Sequence, residues 1–185
     1  MEKCIIAAVA DNGAIGKEND LLWHISEDMK YFRRTTTGSP VLMGYRTFLS
    51  IGGKPLPKRE NIVISSRSSA EVPHGVRVAC NLEEAYSLAE EATEKSGIPV
   101  ASGLNGAENC PCQRVFVIGG GETYRKALPT ADKLYITHVH ATIEDADTYF
   151  PAIDPAIWEV ESSTPENTDP ETGFRYEFRV YRRRS

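Results

Sequence analysis

No apolar run in this 185-residue chain approaches the roughly 20 residues that span a bilayer. No membrane-spanning helix is therefore expected. The start, Met1-Glu2-Lys3-Cys4, opens no signal-peptide h-region of adequate length and no clear cleavage site, so a cytoplasmic location is the expectation. Positive charge is scarce. Lys and Arg number 21 against 26 Asp and Glu, a net charge of −5 that argues against nucleic acid or a membrane surface as partner. The basic Arg182-Arg183-Arg184 tail is too short to reverse that balance. Cysteine is limited to four residues. Cys110-Pro111-Cys112 lacks C-x-x-C spacing and has no second Cys or His pair near it in sequence, so neither a zinc nor a redox site is expected there. Cys4 and Cys80 lie in strand-like apolar surroundings and read as small core residues. His138 and His140 share one strand face without a third ligand nearby, so no metal is expected. The chain also lacks a G-x-S-x-G elbow, a P-loop, internal repeats and low-complexity tracts.

What is present is an ordinary globular balance, 41% hydrophobic and 25% charged residues, in a length suited to one domain with a substantial core. Short apolar runs at Cys4–Ala10, Pro40–Gly44, Asn61–Ser65, Arg114–Ile118 and Lys133–His140 read as buried strands, with a further strand at Val76–Ala79. Helices are expected from Ser26, after Gly44, over Leu82–Lys95 and from Glu122 to about Leu128. Ser26 suits the N-cap of the first. Residues 97–113 read as a long surface insertion. Phe174–Val180 alternates with period 2, which suits an antiparallel strand solvated on one side. The whole is an α/β pattern: a mostly parallel sheet with helices on both faces and an antiparallel C-terminal hairpin.

In such sheets ligands bind beyond the carboxyl ends of the strands. Three ends carry groups suited to anions: Gly44 with Arg46 and Thr47, Ser65-Ser66-Arg67, and Gly119-Gly120-Gly121. Together they fit a ligand with several phosphates, such as a dinucleotide. The glycine triplet by itself reads equally as a tight turn, since Tyr124 breaks the G-x-G-x-x-G spacing. Asp28 falls on the apolar side of the first helix with Ile25 and Phe32. Either the helix dipole and solvent stabilise it, or something pairs with it. Arg59, beyond a proline-stiffened connector, reads as a carboxylate partner or as a solvated surface residue. Thr137 sits mid-strand between apolar neighbours and suits a hydrogen bond to a buried polar group.

The ordered motifs Ile5-Ile6-Ala7-Ala8, Ile15-Gly16, Leu22-Trp23, Asp28-Met29-x-x-Phe32, Val41-x-Met43-Gly44, Pro55-Leu56-Pro57-x-Arg59-x-Asn61, Ile64-Ser65, Val117-Ile118-Gly119-Gly120-Gly121-x-x-Tyr124, Tyr135-Ile136-Thr137 and Asp147-Thr148-x-Phe150-Pro151 resemble dihydrofolate reductase of the bacterial chromosomal type. The resemblance runs through nearly the whole chain. It implies a central, mostly parallel eight-stranded sheet flanked by helices. It also implies a monomeric enzyme that reduces 7,8-dihydrofolate to tetrahydrofolate with NADPH, in support of one-carbon metabolism and thymidylate synthesis. Diaminopyrimidine antifolates such as trimethoprim would compete with the substrate.

By the same resemblance, Asp28 would hold the pterin ring with Thr137 behind it, and Trp23 and Leu21 would complete the catalytic group. Ile6, Ala7, Met29, Phe32, Ile51, Leu56, Ile118 and Tyr124 would form the substrate cleft, and Arg59 would bind the glutamate α-carboxylate. NADPH would be held by Ala8, by Ile15, Gly16, Asn19, Asp20 and Leu21 of the lid loop, and by Gly44, Arg46 and Thr47. Ser65, Ser66 and Arg67 would join them, with the run Ile118, Gly119, Gly120, Gly121, Glu122, Thr123 and Tyr124, whose Gly119–Gly120 bond would be cis. The chain departs from the family pattern at Leu22, where a proline is common, and at Tyr45, where many relatives carry a basic residue that Arg46 and Arg67 would replace. Two other readings compete: a reductase of the same fold related to riboflavin synthesis, which should lack the Trp23…Asp28 pair, and a non-catalytic NADPH- or folate-binding module.

Overall fold

The structure, a computed structural model, describes residues 1–18, 21–67, 71–96 and 113–185. Asn19, Asp20, Ser68, Cys110 and Cys112 lie outside them, as does the expected insertion except for Gln113. The strands are β1 (Glu2–Ala10), β2 (Ala14–Gly16), β3 (Val41–Gly44), β4 (Asn61–Ile64), β5 (Val76–Ala79), β6 (Arg114–Gly119), β7 (Lys133–Val139), β8 (Thr148–Tyr149), β9 (Trp158–Ser163), β10 (Asn167–Thr168) and β11 (Arg175–Arg183). The helices are α1 (Ser26–Thr36), α2 (Tyr45–Ser50), α3 (Leu82–Ser96) and α4 (Gly121–Ala127).

The main sheet runs β10-β11-β7-β1-β6-β3-β4-β5, with β9 also paired to β11. Setting aside the two-residue β10, these are the eight strands the resemblance implies. From β7 to β5 every pairing is parallel, and only the pairings of β11 are antiparallel. β1 lies in the middle because it is apolar on both faces, as a strand covered on both sides must be. Ile5 and Val9 enter the core on one side, and Cys4 and Ile6 enter the core on the other.

α1 is placed on that second side by two contacts. The Tyr31 ring stacks on Phe178 with centroids 4.1 Å apart, and Asp28 meets Thr137. Phe178 and Thr137 are register partners across β11 and β7, so the two contacts fall on neighbouring points of the sheet.

Two sequence expectations change. Ser26 is the first helical residue of α1 rather than its cap. Ile25 takes the cap position without a side-chain bond, because its side chain is buried as an apolar anchor at the helix entry. Cys4 is fully buried, but Cys80 lies exposed just past the end of β5. Over Phe174–Val180 the second face of β11 carries Arg175, Glu177 and Arg179, none of them buried, while Tyr181, just past that run, is buried in the same core cluster as Trp158. The short pair β2–β8 was not legible, being too brief for a periodic signal.

The stacked pair makes a measurable claim about how α1 is held. In a double-mutant cycle of Tyr31→Leu and Phe178→Leu, unfolding free energies should show a coupling of about 0.5–1.5 kcal/mol. Strict additivity would contradict this account of α1.

Candidate active site

Five adjacent parallel strands bring the candidate residues into one row. Read across β7, β1, β6, β3 and β4, the row holds Thr137, Ala8, Gly119, Gly44 and, just beyond β4, Ser65. Because the strands are parallel, their carboxyl ends share one edge of the sheet. That edge is where helix starts and loops can converge on a ligand.

At one end of the row lies Asp28, in the first turn of α1 and half-buried. The Thr137 hydroxyl, itself buried, donates to Asp28 Oδ1 at 2.6 Å. Burial pushes the Asp28 carboxyl above the usual aspartate range, and the Thr137 hydrogen bond draws it partly back. Among the described residues no Lys or Arg pairs with this carboxylate. It is therefore a desolvated acid with one supporting donor and no counter-charge, an arrangement suited to a ligand that brings N–H donors or positive charge. Tyr124 is buried nearby. Its hydroxyl donates to the Ile6 carbonyl at 2.8 Å, and burial together with the Asp28 charge pushes the phenol well above its ordinary range.

Ile6, Phe32, Leu56 and Ile118 pack into one cluster on the Asp28 side of the sheet. Met29 and Ile51 are 44% and 40% exposed. They are large apolar side chains left open to solvent, as the rim of a ligand cleft would be. Ala7 is not brought together with these side chains. It packs against the cluster on the opposite face, so the strand's alternation leaves only its main chain for the cleft. Arg59 is half-buried with its guanidinium 5.9 Å from the Phe32 ring centre. Burial and then the neighbouring Arg33 charge lower its affinity for the proton, which marks a locally positive site. No carboxylate pairs with it among the described residues.

Midway along the row the backbone itself forms the surface. The Gly119–Gly120 peptide is cis and Gly119 has φ +144°, a region that favours glycine. A Cβ on Gly119 or Gly120 would come within 3.2 or 3.0 Å of Thr47, and one on Gly121 would strike Thr148 Cγ2 at 2.5 Å. Gly44 faces the hydroxyl of Thr123. The triplet is thus a close approach between the start of α4 and the start of α2. Glu122 points away, ion-paired with Lys126. Beyond β4, the Arg67 N–H donates to Ser65 Oγ at 3.2 Å, while Ser66, Arg67 and Arg46 are exposed. The Tyr45 hydroxyl donates to the Glu71 carbonyl at 3.2 Å.

Residues 11–18 and 21–24, between β1 and α1, lie on the Asp28 side of the row, where Trp23 clusters with Ala10, Ile25 and Val139. Trp23 is buried, edge-on to Phe174 at 6.2 Å, whereas Leu21 is 63% exposed. The loop is fastened to residues 143–150. Asn12 Nδ2 donates to the Ile143 carbonyl at 2.9 Å, and the Glu18 N–H donates to Asp147 Oδ2 at 2.8 Å. The Asp147 N–H donates to the Gly16 carbonyl at 3.1 Å. Ile15 and Gly16 are fixed here by β2–β8 pairing. Asn12 was not singled out in the sequence, because its partner lies 131 residues away.

A groove of about 530 Å³ lies on the opposite face of the sheet, between Phe150, Trp158 and Tyr181. His138 lines it, and its imidazole meets the Tyr181 hydroxyl at 2.9 Å. None of the candidate residues opens into it. Among the described residues no helix is long and apolar enough to cross a membrane.

Comparison with known proteins gives consistent findings. A family described as dihydrofolate reductase matches residues 3–183. The dihydrofolate reductase of Bacillus subtilis is 36% identical over 180 residues, 97% of this chain and 94% of that protein. That of Neisseria meningitidis serogroup B is 37% identical over 179 residues, covering 97% and 96%. A solved structure, dihydrofolate reductase from Enterococcus faecalis complexed with NADP(H) and RAB-propyl, superposes with a TM-score of 0.80 at 30% identity. The match covers 100% of this chain and 97% of that one.

The raised pKa of Asp28 has a consequence for stability. The folded protein holds this proton more tightly than the unfolded chain, so stability falls as pH rises through the window between the ordinary aspartate value and the raised one, and stays lower above it. In the ligand-free protein, Asp28→Asn should therefore melt higher than the parent at neutral pH. The gain should vanish below the ordinary aspartate range. A variant less stable at neutral pH would contradict the desolvated carboxylate.

Proposed function

The chain belongs to the dihydrofolate reductase family, and from that premise we propose that it reduces 7,8-dihydrofolate to 5,6,7,8-tetrahydrofolate with NADPH. The observation that carries the reading is the Asp28–Thr137 pair, a half-buried carboxylate at the head of an apolar cleft with no counter-charge among the described residues. The glycine triplet fits the cofactor. It exposes main chain where any Cβ would close the space against Thr47 or Thr148.

NADPH supplies the hydride when bound; the chain's own residues do the rest. Asp28 accepts N–H bonds from the amidine-like edge of the pterin, and Thr137 fixes the carboxylate for that purpose. The negative charge pushes electron density along the ring toward N5 and favours its protonation, which makes C6 the better acceptor. Asp28 lies too far along the ring to deliver that proton itself, so water admitted beside Leu21 and Trp23 carries it. Ile6, Met29, Phe32, Ile51, Leu56, Ile118 and Tyr124 wall the pterin and benzoyl rings, with Ala7 contributing main chain. Arg59 binds the α-carboxylate of the glutamate by a bidentate pair.

The rest of the row would hold the cofactor. Ala8, Ile15, Gly16 and Leu21 would meet its nicotinamide end, and Asn19 and Asp20, outside the described residues, are proposed to join them. Gly119, Gly120, Gly121, Glu122 and Thr123, with Gly44, Arg46 and Thr47, hold the pyrophosphate. Ser65, Ser66 and Arg67 hold the 2′-phosphate end, where Tyr45 offers no charge. The chain works as one domain, since the sheet joins β1 from its first residues to β11 from its last. It acts as a cytoplasmic monomer, and diaminopyrimidines such as trimethoprim compete at Asp28 through their protonated ring.

Asp28→Asn tests the assignment. Measured as NADPH consumed with dihydrofolate, kcat/KM should fall by about 10²–10⁴-fold at neutral pH, the range for losing a group that governs protonation. The loss should shrink at acidic pH, where substrate arrives already protonated. An equal loss at both pH values would remove Asp28 from this role. No NADPH consumption by the parent protein would reject the enzyme reading.

A further inference from the structure

Four polar side chains are buried among the described residues: Thr36, Asn61, Thr137 and Asp169. A buried polar group is costly unless its bonds are used, so their partners show what they serve. Thr137 serves Asp28. Two of the others converge on Arg59.

Thr36, the last residue of α1, is fully buried. Its hydroxyl donates to the Phe32 carbonyl at 2.8 Å and accepts from Arg59 Nη1 at 3.0 Å. Asn61, at the start of β4, is also fully buried. Its Nδ2 donates to the carbonyls of Leu56 at 3.0 Å and Arg59 at 2.9 Å, and its Oδ1 accepts the Leu56 N–H at 2.9 Å. One side chain thus cinches residues 56–59 into a turn. Within it Lys58 is held at φ +59°, a conformation side chains seldom adopt, with its carbonyl taking the Gly38 N–H at 3.0 Å. The Arg59 Nε–H donates back to the Pro57 carbonyl at 2.9 Å. Of the five guanidinium N–H groups, two are thereby used and three remain for an anion.

We infer that Thr36 and Asn61 are positioning residues that preset Arg59 for a substrate carboxylate, as Thr137 presets Asp28 for the pterin. Thr36 fixes the guanidinium and Asn61 fixes the backbone that carries it. A guanidinium already held in place gives up less freedom when it forms a bidentate pair. The inference rests on the reading of Arg59 given above.

The test compares dihydrofolate with 6-methyl-7,8-dihydropterin, which has no glutamate, using the full-length protein and NADPH. Thr36→Val keeps shape and removes the hydroxyl. It should raise KM for dihydrofolate about tenfold, the scale of one charge-assisted hydrogen bond, with kcat held and KM for the dihydropterin unchanged. Thr36→Ser, which keeps the hydroxyl, should restore the parent KM. Asn61→Ser should show the same split between the two substrates, whatever its melting temperature. In an Arg59→Ala background, Thr36→Val should add nothing. Unchanged KM for dihydrofolate, an equal rise on both substrates, or additivity with Arg59→Ala would overturn the inference. If Arg59→Ala alone leaves KM for dihydrofolate unchanged, the assignment of Arg59 fails first and this inference falls with it. A raised KM in Arg59→Ala without one in Thr36→Val rejects the positioning role alone.

Discussion

The hydrogen bond between Thr137 and Asp28 is the point from which the rest of the site is set. A carboxylate taken out of water is expensive, and among the described residues the Thr137 hydroxyl is the donor that offsets that cost. The bond joins a helix to a strand 109 residues further along the chain, so it exists only once the sheet is built. β7 must lie beside β1, and β11 must close its other side, for Thr137 and Phe178 to stand together under α1. The stacking of Tyr31 on Phe178 then holds the helix at the height where Asp28 reaches its donor. The fold leaves this acid short of a partner, and the proposed substrate supplies one.

Parallel strand order does the remaining work of assembly. Because β7, β1, β6, β3 and β4 all point the same way, groups far apart in sequence arrive along one edge in a fixed order. The carboxylate stands at one end and the Ser65–Arg67 segment at the other, with glycine backbone between. A ligand with an amidine-like edge at one end, beside a second with several phosphates along the rest, would match that order. Arg59 lies off the row on its own turn, held by buried polar groups rather than by the sheet edge.

Much of this was legible in the sequence, and for identifiable reasons. The apolar runs of β1, β3, β4, β6 and β7 mark buried strands without ambiguity, and Gly119-Gly120-Gly121 marks a helix start that no side chain can crowd. Asp28 was visible as an acid on the wrong side of a helix. What stayed hidden depends on distant partners or on short range. Nothing local says that Ile25 caps α1 by burial in place of Ser26, or that the chain turns outward at Cys80 as β5 ends. The pair β2–β8 is too brief to show a period. Ala7 and Ile6 read alike in a continuous apolar run, since only the finished sheet decides which face each takes. Thr36 and Asn61 look like ordinary polar residues at element ends until their bonds to Arg59 are seen.

Asp28 stands in this site as a desolvated carboxylate ready for a donor-rich ligand. The most direct measurement is a carbon NMR titration of aspartate-labelled protein, assigned with Asp28→Asn, in the free state and with trimethoprim bound. Asp28 should titrate above the ordinary aspartate range when free, and in the complex it should stay ionised to clearly lower pH. A free-state titration at the ordinary value, or one that trimethoprim leaves unmoved, would contradict this reading of Asp28.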